Sequence, residues 1–167
     1  MANVSTGREP RLRWQNILQM LRTTRNKLLY GVPLFFIAIQ LVPYGRNHTN
    51  PPVVAEPTWD SPATRELARR ACFDCHSNET EWPRYANVAP SSWLVQNDVD
   101  NGRRHLNFSE WQNTQRHAKD AAEQVRTKEM PLSYYLPLHP TAKLTDAERE
   151  QLAAAFERMF GKKGMAQ

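Results

Sequence analysis

Cys72-Phe73-Asp74-Cys75-His76 holds both cysteines of the 167-residue chain. Two cysteines three positions apart, with histidine next, form the attachment pattern of c-type haem. The chemistry accounts for the spacing. Each thiol adds across one vinyl group of the porphyrin, and the adjacent imidazole faces the iron. On a helix, positions i and i+3 share a face, so both sulfurs reach one edge of the ring. Three other uses of the pattern stand beside this one. Structural zinc takes four ligands, and with no second cysteine pair it would have to recruit scattered histidines. A thioredoxin-like redox pair belongs in a βαβ pattern, and no strand-rich stretch surrounds the motif. A disulfide across so short a loop within a helix would constrain little.

The flanking sequence is helical. Ser61-Pro62, a cap followed by proline at the first helical position, predicts a helix through Leu67 and Ala71 into the motif. A second helix is predicted from about Ser91 to Asn101, stopping at Gly102. A third is predicted to start near Asn107 to Ser109, where Asn107 and Glu110 have capping-box spacing. It would carry Trp111, Ala118, Ala121, Ala122 and Val125 on one face and end before Met130-Pro131. A fourth starts at Thr145, with Glu148 three residues on, and its apolar stripe is Leu152, Ala155, Phe156 and Met159. No alternating strand pattern is present. The expected class is all-α: a small class I cytochrome c-like helical domain over 59–160 around one covalent haem, with a short tail over 161–167.

His76 is the expected proximal ligand of the iron, with Cys72 and Cys75 as attachment residues. Met130 is the expected distal ligand. A methionine just before proline on a loop is similar to the distal ligand of class I c-type cytochromes, and Met ligation suits electron transfer. The alternatives are a methionine filling a core gap, or His139 as ligand, followed by His105 and His117. Trp82, Tyr85, Trp93, Trp111 and Tyr135 are candidate pocket aromatics, with ordinary core packing as the competing use. Arg103 is a candidate partner for a haem propionate, with a solvated surface position as its default.

The front of the chain is basic and then apolar. Residues 1–27 hold Arg8, Arg11, Arg13, Arg22, Arg25 and Lys27 against Glu9. The chain carries +5 in all, from 22 basic and 17 acidic residues, so the remainder holds 16 of each. The high isoelectric point therefore belongs to this flank and does not argue for nucleic acid. Leu28 to Val42 is free of charge, short against the about 20 residues a span needs, but flanked by Lys27, Tyr30 and Tyr44, which extend it. The expectation is a single transmembrane signal-anchor over 28–44, preferred over a cleaved signal because no small-x-small site follows. Pro33 is placed in the first turns of that helix. Positive charge stays inside, so residues 1–27 read as cytoplasmic and the rest as periplasmic at a bacterial inner membrane. Trp14, Ile17, Leu18 and Leu21 recur at helical spacing, as in a helix lying on the inner leaflet or in a loosely ordered basic tail. Residues 45–58, with Pro51, Pro52 and Pro57, read as a stiff linker.

Longer stretches carry a resemblance. The run from Cys72 through Trp82-Pro83-Arg84-Tyr85, then Ala89 to Leu94, Gly102 to Trp111, and Met130-Pro131 with Tyr135 to Pro140 and Leu144, resembles the small haem-binding-domain proteins of bacteria. That resemblance covers roughly residues 50–156. It implies a membrane-anchored, periplasmic, monohaem domain with Cys72 and Cys75 attaching the haem, His76 proximal and Met130 distal. The expected role is a tethered electron carrier or cytochrome subunit, serving redox protein partners or a membrane complex. The alternatives are an enzyme or gas sensor with an open iron site, and a structural or assembly subunit.

Overall fold

The computed structural model describes residues 9–161, which divide after Pro43 into two compact units. Residues 1–8 of the basic segment and 162–167 of the tail lie outside the described residues, as do the side chains of Trp14 and Leu18.

The first unit is one helix, α1, over Glu9–Ile39. Leu, Arg, Lys and Gln favour helix at most positions. Pro33 therefore sits deep in a 31-residue helix and not in its opening turns, where it leaves the Leu29 carbonyl without its i+4 donor. The helix closes through i+3 bonds from Gln40, Leu41 and Val42 to the carbonyls of Ile37, Ala38 and Ile39. No helix among the described residues is long and apolar enough to cross a membrane. The expected transmembrane span over 28–44 is thereby corrected. Its helical part stops at Ile39, and twelve residues reach only about 18 Å against a hydrocarbon core of about 30 Å. Extending the window backward brings in Lys27, Arg25 and Arg22.

The second unit is helical. Ser61 caps α2 (Pro62–His76) through its hydroxyl, which accepts from Thr64 N–H. α3 covers Ser91–His105 and α4 covers Ala121–Arg126. α5, Asp146–Phe160, opens with the capping box of Thr145 and Glu148. α2 packs on α3 and α5, and α4 packs on α5. No strand occurs among the described residues; one isolated parallel bridge joins Ala55 and Glu110. The core gathers Leu67, Phe73, Leu106, Phe108, Val125, Leu152 and Phe156. Phe108 is its hub, with ring centroids of Trp59, Phe73 and Phe156 at 5.3, 5.6 and 5.9 Å.

Three expectations about these elements change. α3 does not stop at Gly102 but runs one turn further. The third helix does not begin at Asn107. The Asn107 side chain accepts from Ser109 N–H and donates to Asn78 Oδ1, while Gln115 Oε1 accepts from Asn107 N–H and Gln115 Nε2 donates to the Glu110 carbonyl. Side-chain amides occupy the main-chain groups that a helix would have used. Helix resumes only as a short 3-10 turn at Ala118–Asp120 that leads into α4. The proline-rich stretch is not a free spacer. Val54 and Ala55 N–H donate to the Ser109 carbonyl, and Trp111 N–H donates to Ala55. Asn50 donates to Thr80, and Asn78 to the Pro52 carbonyl. This stretch is part of the domain wall.

Candidate functional site

The last turn of α2 places Cys72, Cys75 and His76 along a cavity of about 430 Å³. α3 lies against that turn because residue 102 is glycine. A Cβ there would overlap the Cys75 carbonyl and come within 2.9 Å of the Cys75 Cβ. The close approach puts the last turn of α3 and its C-cap residue beside His76. Its Nδ1 lies 3.0 Å from both the Gly102 and the Leu106 carbonyl oxygens. Both neighbours are acceptors, so Nδ1 carries the proton and donates, and Nε2 keeps its lone pair. Burial holds the imidazole below its ordinary pKa against the opposing pull of these two carbonyls. The result is a neutral ring in the tautomer that ligates a metal through Nε2, oriented by main-chain acceptors.

Cys72 and Cys75 are free and half-buried. Burial pushes each thiol up to about 12, with Cys75 adding to the effect on Cys72, and Asp98 and Asp74 adding to that on Cys75. Both are protonated at neutral pH. Among the described residues no group of three or more His, Cys, Asp or Glu side chains gathers to hold a metal ion. The zinc reading of the motif therefore lacks its ligand set.

Met130 lines the same cavity, with Pro131 and Leu132. Its N–H donates to the Gln124 carbonyl at 2.9 Å. Its own carbonyl accepts from Arg149 Nη1 at 3.3 Å. His105 and His117 also line the cavity, with ring centroids 5.0 Å apart. His139 is placed elsewhere. It stacks on Tyr135 at 3.8 Å between centroids, and its two nitrogens lie near the Tyr135 carbonyl and the Tyr85 hydroxyl. Tyr135 itself is part of the wall. Its hydroxyl donates to Asp74, and burial, then that carboxylate, raises its pKa. Next to it, Tyr134 donates to both oxygens of Asp98 at 3.1 and 3.0 Å. The segment after Met130 is thus tied to α2 and α3 through the acids that flank Cys75.

Of the six candidate pocket residues, only Tyr135 faces the cavity. Trp82 stacks on His48 at 4.7 Å. Tyr85 meets His139. Trp93 Nε1 is buried without a hydrogen-bond partner. Trp111 stacks on Phe108 and packs on Phe160. Arg103 donates to the carbonyls of Ser77 and Thr49 and to Asn50 Oδ1 and Thr80 Oγ1. Its fork joins the loop after α2, at Ser77 and Thr80, to Thr49 and Asn50 of the 45–58 stretch, and Arg103 is not among the residues that line the cavity. Gly102, Asp74, Asp98 and Arg149 were the residues that sequence reasoning missed. Arg149 alone left a signal, one turn before Leu152 on the apolar stripe.

The residue set fits haem. A histidine with an unprotonated Nε2, two protonated thiols on one helical face and a methionine from another segment line one cavity whose wall is largely apolar. A family model described as a haem-binding domain matches residues 34–158. No curated protein and no solved structure matches the chain.

Proposed function

The chain belongs to the haem-binding-domain family, and from that premise we propose that it is a monohaem c-type electron carrier. The observation that carries the reading is the shared cavity of Cys72, Cys75, His76 and Met130. Cys72 and Cys75 would hold the haem as thioethers, each protonated thiol supplying both the sulfur and the hydrogen that a vinyl group takes up, so that attachment would need no oxidant. His76, held through Nδ1 by the Gly102 and Leu106 carbonyls, would supply the proximal ligand through Nε2, and Met130 would supply the distal one. When bound, the haem supplies a reversible one-electron couple, which Met ligation shifts to higher potential. Phe108, Val125 and Leu106 give the site buried apolar surface, and the tyrosine contacts to Asp74 and Asp98 tie its wall to α2 and α3. In this reading the domain is a class I cytochrome c-like fold with redox proteins or a membrane complex as partners.

The proposed location is the exported face of a bacterial inner membrane, where c-type attachment takes place. Leu28, Leu29, Val32, Leu34, Phe35 and Ile37 of α1 are exposed and follow directly on Arg22, Arg25 and Lys27. This fits association with a membrane surface without a complete span.

The test is the ferric spectrum of the haem protein. The carrier reading expects a low-spin, six-coordinate form with a Met–iron charge-transfer band that Met130→Ala abolishes. A high-spin ferric form that takes up cyanide at once would overturn it. That outcome would favour an enzyme or gas sensor, a reading supported by the presence of His105 and His117 on the same cavity.

A further inference from the structure

α5 buries Leu152, Ala153, Ala155 and Phe156. One turn earlier the same side holds Arg149, only 9% exposed. A charge at that depth is costly unless it is paired and hydrogen-bonded. Arg149 is met by carbonyls. Its Nη1 donates to the Val125 carbonyl at the end of α4 (2.9 Å) and to the Met130 carbonyl (3.3 Å). Its Nε is buried without a hydrogen-bond partner. Packing does not explain such a residue, since a leucine would continue the apolar stripe. Capping explains part of it: Thr145 and Glu148 already close the start of α5, and the Val125 bond serves the end of α4, but neither accounts for the second bond to Met130. What the guanidinium does accomplish is to join the end of α4, at the Val125 carbonyl, to Met130. With the Met130 N–H held by Gln124, both main-chain polar groups of that residue are tied, one to α4 and the other to α5.

We infer that Arg149 is the positioning residue for the distal ligand, clamping the Met130 carbonyl so that its thioether stays in the haem cavity. The inference rests on Met130 being that ligand. Losing the clamp frees the 127–132 segment to swing without dismantling the helices. The site then opens more often to an added ligand.

The experiment uses the full chain carrying haem and compares Arg149→Met, Arg149→Lys, Leu152→Ala and Met130→Ala. The readouts are the ferric Met–iron band, the rate of imidazole binding and the denaturation midpoint. Arg149→Met should weaken the band and speed imidazole binding roughly tenfold to a hundredfold, the factor that one hydrogen bond to a charged group produces. Arg149→Lys keeps a point charge but loses the fork, and should fall between it and the wild type. Leu152→Ala loosens α5 through lost packing alone, so its midpoint falls while its imidazole rate stays near wild type. If Arg149→Met does not fold, Arg149→Lys is read by itself, with at least about a threefold faster rate expected from the weaker donor. A wild-type rate and band in the arginine variants, or a speeding matched by Leu152→Ala, overturns the inference. If Met130→Ala keeps the band, the distal assignment itself fails. If Met130→Ala loses it while the Arg149 variants behave as wild type, only the clamp fails.

Discussion

Replacing Gly102 with alanine sets two effects of opposite sign against each other at one atom. Gly102 lies within α3, and in an exposed helix Gly→Ala stabilises by about 1 kcal/mol. Here the added methyl would overlap the Cys75 carbonyl and crowd the Cys75 Cβ at 2.9 Å. Both obstacles belong to α2 itself, so no side-chain rotation relieves them and the two helices must separate. Overpacking of that kind costs about 3 kcal/mol at the upper end of its range. The net is a loss of about 2 kcal/mol, or a fall of roughly 8 °C in Tm for a domain of this size. Separation also lengthens the bond from His76 Nδ1 to the Gly102 carbonyl, now 3.0 Å, so the iron spectrum should shift with the stability. Guanidinium unfolding of the haem protein gives the first number, with an unchanged slope required for the comparison. A variant as stable as wild type, or about 1 kcal/mol more stable as propensity alone requires, would refute the account of how α3 meets the motif.

Other expectations follow from the same contacts. Glu56 accepts from Arg65 Nε and Nη2 at 2.8 and 2.7 Å and from Trp59 Nε1 at 2.6 Å. The Arg65 hydrogen bonds come first in holding its carboxyl below the usual range. A carboxyl depressed in the folded state adds stability above its unfolded pKa of about 4.3 and loses it as pH falls through the lower folded value. Glu56→Gln should therefore cost up to about 1 kcal/mol at pH 7, and denaturant midpoints should show the difference from wild type shrinking below about pH 4. Thr145→Ala removes the hydroxyl of the α5 capping box and should cost about 1 kcal/mol in the same assay; no change would mean the box contributes nothing. Hydrogen exchange should find the amides of Val54, Ala55 and Trp111 protected, because each donates to a main-chain carbonyl. Immediate exchange at all three would return residues 45–58 to the role of a free spacer.

What was legible in the sequence was what is decided locally. Ser61 and Thr145 cap helices through atoms three residues away, so their spacing alone announces them. The cysteine pair and His76 share a face for the same reason. Gly102 misled because a glycine ending a helix and one admitting a neighbouring helix look identical in sequence; only the approach of Cys75 separates them. Asn107 and Glu110 had the spacing of a capping box, but Asn78 and Gln115, distant along the chain or across the loop, claimed the same groups. The proline-rich stretch read as stiff and free because its partners, Thr80 and Ser109, lie about 30 to 55 residues further along. Of the pocket aromatics, only Tyr135 lies on the cavity wall. Trp82 finds its ring partner in His48, far back along the chain, and Trp111 turns onto Phe108 and Phe160 of the core. The apolar run before Pro43 resembles a span by composition, while the length of its helix is set by where Ile39 ends α1 and by the basic residues behind it.

The central claim, one haem bound covalently through Cys72 and Cys75, is tested most directly by the mass of the full chain after denaturation and acid extraction of free haem. The expected result is the chain plus one haem, reverting to the bare chain in the double variant Cys72→Ala and Cys75→Ala. A wild-type chain that gives up its haem on denaturation, or a double variant that keeps it, would contradict the claim.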